Sequence, residues 1–158
     1  MLWRLYDGLT TGLLALCGVA MFALAIGNAL LRYFFGAPLV WAEEISRYAM
    51  VWGTMIGIAL AYRAAHHVSI TILTDALPPR ALVVCRLLVH ALSLATAWVI
   101  WRAGYVLVAR LGFMGAPSSE LPMAWVYAAF PVAAAMLAIE VLRRLVADVR
   151  ALLPAALR

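Results

Sequence analysis

Uncharged apolar runs of membrane length dominate the chain, and short polar stretches separate them. The first run, Leu9 to Leu31, has 23 residues without a charge, enough at about 1.5 Å per residue to cross a hydrocarbon core of about 30 Å. The second, Tyr48 to Tyr62, has 15 uncharged residues; extending it back to Leu39 gives 24 and brings Glu43, Glu44 and Arg47 onto a helix near the membrane interface. Gly36-Ala37-Pro38 before it reads as a turn followed by a helix start. The third run centres on Leu87 to Trp101, between Arg86 and Arg102, and lengthens toward Val108 if Arg102 snorkels to the headgroups. The fourth covers Leu121 to Ile139, 19 residues between Glu120 and Glu140, with Pro131 expected to bend its middle. The pattern predicts an all-α integral membrane protein of four transmembrane helices, over about 9–31, 39–62, 82–108 and 121–142, with residues 1–158 as one membrane domain.

Composition strengthens this reading. Of the 158 residues, 68% are hydrophobic and 12% charged, against about half and about a quarter in soluble domains. So short a chain has too little interior to hide that surface, so the lipid bilayer is its expected solvent. Ala23-Leu24-Ala25 has the look of a signal-peptide cleavage site, but the apolar run continues past it and Arg4 is countered by Asp7, which favours a retained span. The net charge of +5 comes from arginines alone, set singly at the edges of apolar runs apart from Arg143-Arg144, whereas a nucleic-acid surface needs clustered cations. Arg4, Arg63, Arg80, Arg86, Arg143, Arg144, Arg150 and Arg158 fall on the side of the termini and Arg32, Arg47, Arg102 and Arg110 on the other. That asymmetry predicts both termini in the cytoplasm.

Few residues suggest chemistry. Cys17 and Cys85 have neither CxxC spacing nor a neighbouring His and read as packing residues. Glu43 and Glu44 stand four and three residues before Arg47, within reach of it on a helix. One guanidinium cannot neutralise both, and Glu44 points further round toward another helix or chain, Arg32 being the internal candidate. Trp41, beside this cluster, and Trp3, Trp101 and Trp125 sit near span ends, as interfacial aromatics do. Ala49, Gly53, Gly57 and Ala61 recur every four residues and predict a close-packing stripe opposite Glu44. His90 lies about a turn inside the third helix, and His66 and His67 in the loop before it. That is a poor match for bis-histidine haem, so His90 is expected to be a hydrogen-bonded structural residue. Glu140 with Arg143 and Arg144 reads as a solvated helix end, and Ser118-Ser119-Glu120 before Pro122 as a helix start. No catalytic, cofactor or metal constellation is expected.

The motifs Trp41-x-Glu43-Glu44-x-x-Arg47, Trp52, Gly57, Arg63-x-x-x-His67-Val68-x-Ile70, Glu120-Leu121-Pro122, Tyr127 and Pro131 together resemble the small membrane subunit of tripartite ATP-independent periplasmic (TRAP) transporters, from about Leu9 to Leu142. Thr71 departs from the pattern, where relatives often carry an acid. The resemblance implies a partner of a large membrane permease subunit that itself holds the substrate and sodium sites, and of a periplasmic substrate-binding protein that delivers an organic acid. This chain would then brace the large subunit from the bacterial inner membrane, with the motif residues, His67 included, as structural or interface groups. Alternatives are a b-type cytochrome membrane-anchor subunit, a small self-assembling exporter and a membrane enzyme.

Overall fold

The computed structural model describes residues 2–64 and 79–152; the readings attached to His66, His67, Val68, Ile70 and Thr71 lie outside them. Every regular element among the described residues is helical: α1 Leu2–Phe35, α2 Val40–Ala64, α3 Pro79–Leu111, a single turn α4 Ala124–Tyr127, and α5 Ala129–Leu152. The helices outrun the uncharged runs because arginines and aromatics continue them past the apolar centres. Gly36, at φ +64°, ends α1 in the left-handed region, and Pro38 follows, which cannot continue the helix. The Asn28 side chain accepts the Leu39 N–H at 2.8 Å and so closes the turn into α2.

Three stretches are long and apolar enough to cross a membrane, Trp3–Phe35, Ala81–Leu111 and Ala124–Arg150. The second helix is 25 residues long, but Glu43, Glu44, Arg47 and Arg63 dilute its ends.

The helices form an open row. α1 packs on α2, α2 on α5, and α5 on α3, while α1 makes no comparable packing with α3. The α1–α2 seam repeats at three- and four-residue intervals through Asp7, Thr10, Leu14, Cys17 and Met21, the spacing that keeps one helix face on a neighbour. The innermost cluster is Ile56 and Ala59 of α2, Ala97 of α3, and Met136, Leu137 and Val141 of α5. Alanines recur among the other buried residues, at Ala42, Ala129, Ala133 and Ala134, because in lipid close backbone approach and dispersion replace the hydrophobic force that water supplies. Gly104 is the extreme case: a Cβ there would lie 2.6 Å from Phe130 Cβ and from Pro131 Cδ.

Pro131 lies inside the apolar helical stretch Ala124–Arg150, as its eighth residue. The helix is split at Ala128, in the turn before Pro131, but Ala128 keeps helical dihedrals (φ −61°, ψ −21°), donates to the Ala124 carbonyl at 2.9 Å and accepts the Val132 N–H at 3.2 Å, so Pro131 disturbs a path that stays helical from Ala124. The Trp125 carbonyl, beside the split, accepts the Trp52 indole N–H at 3.1 Å. Residues ahead of Ala124 are a folded loop, in which Ala116 N–H reaches Leu121 O at 2.9 Å and Met123 N–H reaches Met114 O at 2.9 Å. The start at Leu121 expected for the fourth helix is thus three residues early, because these backbone donors are spent within the loop.

Candidate functional site

Two polar sites stand at opposite ends of the row. At the first, where α2 begins, Glu44 is 8% exposed. Its Oε2 accepts the backbone N–H groups of Ser118 (3.1 Å) and Ser119 (2.7 Å), and its Oε1 accepts the Tyr48 hydroxyl at 2.7 Å. Adjacent N–H groups converging on one carboxylate satisfy it without a cation, as a helix N-terminus would.

The expected pairing of Glu44 with Arg32 is not made. Arg32 lies along Tyr33, its Cζ 5.0 Å from the ring centroid. Nor does Arg47 serve both acids: it meets Glu43 alone, at 3.9 Å, with both side chains largely exposed. Trp41 is exposed beside them. Pro122 pairs across the loop with Gly115, and its carbonyl accepts the Trp125 N–H at 3.1 Å.

The small-residue stripe divides along its length. A Cβ at Gly53 would meet Cys17 Cβ of α1 at 3.3 Å, whereas one at Gly57 would meet nothing within 4 Å. Ala49 is half-buried and Ala61 exposed.

The second polar site, where α2 ends, was not expected from the sequence. Arg63 of α2 donates to Asp7 of α1 at 2.8 Å and lies 3.7 Å from Glu140 of α5. Arg143 donates to Asp7 at 2.9 Å and to Glu140 at 3.2 Å, and its guanidinium carbon stands 4.2 Å from the Trp3 ring centroid. Thr10 and Thr11 accept further N–H groups of Arg63. Two carboxylates thereby face two guanidinium groups, with balanced charge and the hydrogen bonds a desolvated cluster requires. The Glu140 side chain is only 3% exposed, so the solvated helix end expected there is instead a buried junction. Its i, i+3 spacing to Arg143 was visible in sequence; its burial was not, because Asp7 lies 136 residues from Arg143.

Next to this junction, Arg144 donates to the Arg63 carbonyl and covers the Tyr62 ring. Tyr62 Oη is 2.7 Å from His90 Nδ1, and His90 Nε2 is 3.0 Å from Asp148 Oδ2. In the neutral ring, Nε2–H donates to the carboxylate and Nδ1 accepts from the phenol, so both nitrogens are engaged within the chain. Arg86 approaches the other Asp148 oxygen at 3.7 Å. These bonds hold His90 in the structural role expected of it.

A family model described as the DctQ component of tripartite ATP-independent periplasmic transporters matches residues 12–151. A putative TRAP transporter small permease protein of Haemophilus influenzae is 28% identical over 141 residues, which cover 89% of this chain and 85% of that protein. The sialic acid TRAP transporter small permease protein SiaQ of Vibrio cholerae is 27% identical over 64% of this chain and 58% of its own length. The sialic acid TRAP transporter permease protein SiaT of Haemophilus influenzae is 28% identical over 75% of this chain but only 19% of its own length. The chain belongs to the DctQ family of small TRAP transporter membrane subunits.

Proposed function

We propose that this chain spans the bacterial inner membrane four times, with both termini in the cytoplasm, and braces a large permease subunit during sodium-coupled uptake of an organic acid that a periplasmic binding protein delivers. The observation that carries the proposal is the family match over residues 12–151. The relation to SiaT, in which a similar segment is under a fifth of a longer permease, supports a close association with a large subunit. Residues 1–158 would act as one membrane domain, and the arginine asymmetry supports the orientation. α2 would be the fourth span, since 25 residues reach about 37 Å and its charged ends lie near the two interfaces.

The chain would bind no substrate and catalyse nothing itself. Its described charged groups are largely paired with one another or lie toward helix ends, whereas a carrier for an anion needs broken helices with polar groups at mid-membrane. Surfaces that α2 leaves unpacked, at Trp41, Glu43, Arg47, Gly57 and Ala61, would face the large subunit. The test is co-purification of the large subunit with this chain, together with sodium-driven uptake in vesicles containing or lacking it. Uptake that is lost without the chain is expected; full uptake without it would overturn the bracing role. An alkaline phosphatase fused to the C-terminus should be inactive, and an active fusion would reverse the orientation.

A further inference from the structure

An open row has a mechanical weakness that a closed bundle lacks. Each outer helix, α1 or α3, packs along one long neighbour, and in lipid no hydrophobic force selects one crossing angle over another. A single seam is an axis about which the outer helix can pivot.

One polar residue on each outer helix reaches past its neighbour to the helix beyond. Asp7 of α1 accepts from Arg63 of α2, its neighbour, and from Arg143 of α5, the next helix in the row. His90 of α3 bonds Asp148 of α5, its neighbour, and Tyr62 of α2, the next helix in the row. Two bonds from one point to two different helices fix an angle as well as a separation. The geometry points to Asp7 and His90 as positioning residues that triangulate the outer helices against the α2–α5 pair. Hydrogen bonds suit this task better than apolar contact because their angular range is narrow and an unmade one is costly away from water. Both points lie at the level where α2 ends; at the other level α1 is tied only to its neighbour α2, through Leu39 N–H to Asn28 and the Ser46 hydroxyl to the Met21 carbonyl, and α3 is held by packing, as at Gly104. This inference rests on the bracing role only for its consequence in transport.

The experiment places spin-label pairs in the assembled complex with the large subunit, after Cys17→Ala and Cys85→Ala. One pair, on exposed Leu5 of α1 and Val146 of α5, reports the first angle; the other, on exposed Val84 of α3 and Ala64 of α2, reports the second. Asp7→Ala is expected to turn the narrow α1–α5 distance peak into a broad one and to leave the α3–α2 peak narrow. His90→Leu is expected to do the reverse. Tyr62→Phe removes one hydroxyl only, keeps the fold if His90→Leu does not, and is expected to broaden the α3–α2 peak alone. A variant that leaves its own peak narrow, or that broadens both peaks alike, would overturn the triangulation. Broad peaks with undiminished uptake would keep it and remove the bracing role, so the two failures are distinguishable.

Discussion

The two ends of the helix row handle charge in opposite ways. Where α2 begins, Glu43 and Arg47 are four residues apart, meet at 3.9 Å and remain in solvent, an arrangement that contributes little. Where α2 ends, Asp7, Arg63, Glu140 and Arg143 come from three helices, and the Glu140 side chain is 3% exposed. The conspicuous motif is the weaker site and the scattered residues are the stronger one. Local spacing establishes only that two charges can meet, whereas the value of the meeting depends on how far water is excluded. Glu44 adds that a buried carboxylate needs no cation when backbone N–H groups converge on it.

The contrast breaks first, or is upheld first, at Glu140. Glu140→Ala leaves Arg63 and Arg143 sharing only Asp7, which is partly exposed. Removing one partner from a fully buried pair costs about 3–5 kcal/mol; the two guanidinium groups left here are 25% exposed and keep Asp7, so the low end of that range is expected. Thermal unfolding in detergent should show a large fall in midpoint, and yields of folded protein should drop. A fall no larger than that of Arg47→Ala would abolish the distinction between the two ends.

Glu44→Ala comes next. It frees the N–H groups of Ser118 and Ser119 and the Tyr48 hydroxyl. Charge-assisted bonds contribute about 1.5–3 kcal/mol each, but water reaches this loop and offsets part of the loss, so about 2 kcal/mol is expected. Hydrogen exchange at Ser118 and Ser119 should speed up while amides at the Asp7 end keep their protection. Unchanged exchange in the loop would mean that the carboxylate does not hold it.

What the sequence made legible follows the range of the interactions. Helical projection turned Glu44 away from the small-residue stripe, and the structure places its partners away from α1; the partners themselves are backbone donors of Ser118 and Ser119, which no residue type announces. The α1–α2 seam through Asp7, Thr10, Leu14, Cys17 and Met21 repeats at heptad intervals, but α1 is apolar nearly all round, so the seam had no contrast against the lipid face. Pro131 was legible as a disturbance of the last helix, which is split at Ala128 in the turn before it. Gly104 looked like any glycine in a span until Phe130 and Pro131 were set against it.

Gly104 and Gly57 extend the comparison from charge to packing. Gly104→Ala must push α3 from α5, because its new Cβ would fall 2.6 Å from two side-chain carbons; overpacking of this kind costs about 1–3 kcal/mol. A Cβ at Gly57 would meet nothing within 4 Å in this chain, which leaves room to build outward, so with Gly57→Leu the isolated protein should keep its stability within about 0.5 kcal/mol. Its effect, if the stripe faces the large subunit, is reduced co-purification. A destabilised isolated chain would show that Gly57 packs within this subunit.

The smallest effect is expected from Arg47→Ala, even though Arg47 sits in the most recognisable motif of the chain. Its side chain is 68% exposed and that of Glu43 73%, and the two approach no closer than 3.9 Å. Exposed i, i+4 pairs on helices contribute about 0.3–0.5 kcal/mol and are screened by salt. Glu44 keeps every hydrogen bond it has, since none comes from Arg47. The unfolding midpoint of the isolated chain should therefore move by no more than the scatter of the measurement, at low salt as at high. The same substitution in the assembled complex is a separate measurement, because a surface that is wet in one subunit becomes dry when another covers it. If Arg47→Ala leaves the isolated chain intact and sheds the large subunit, the conspicuous motif belongs to the interface and the hidden cluster to the fold. If it unfolds the isolated chain, Arg47 must engage Glu44 after all, and the contrast between the two ends fails.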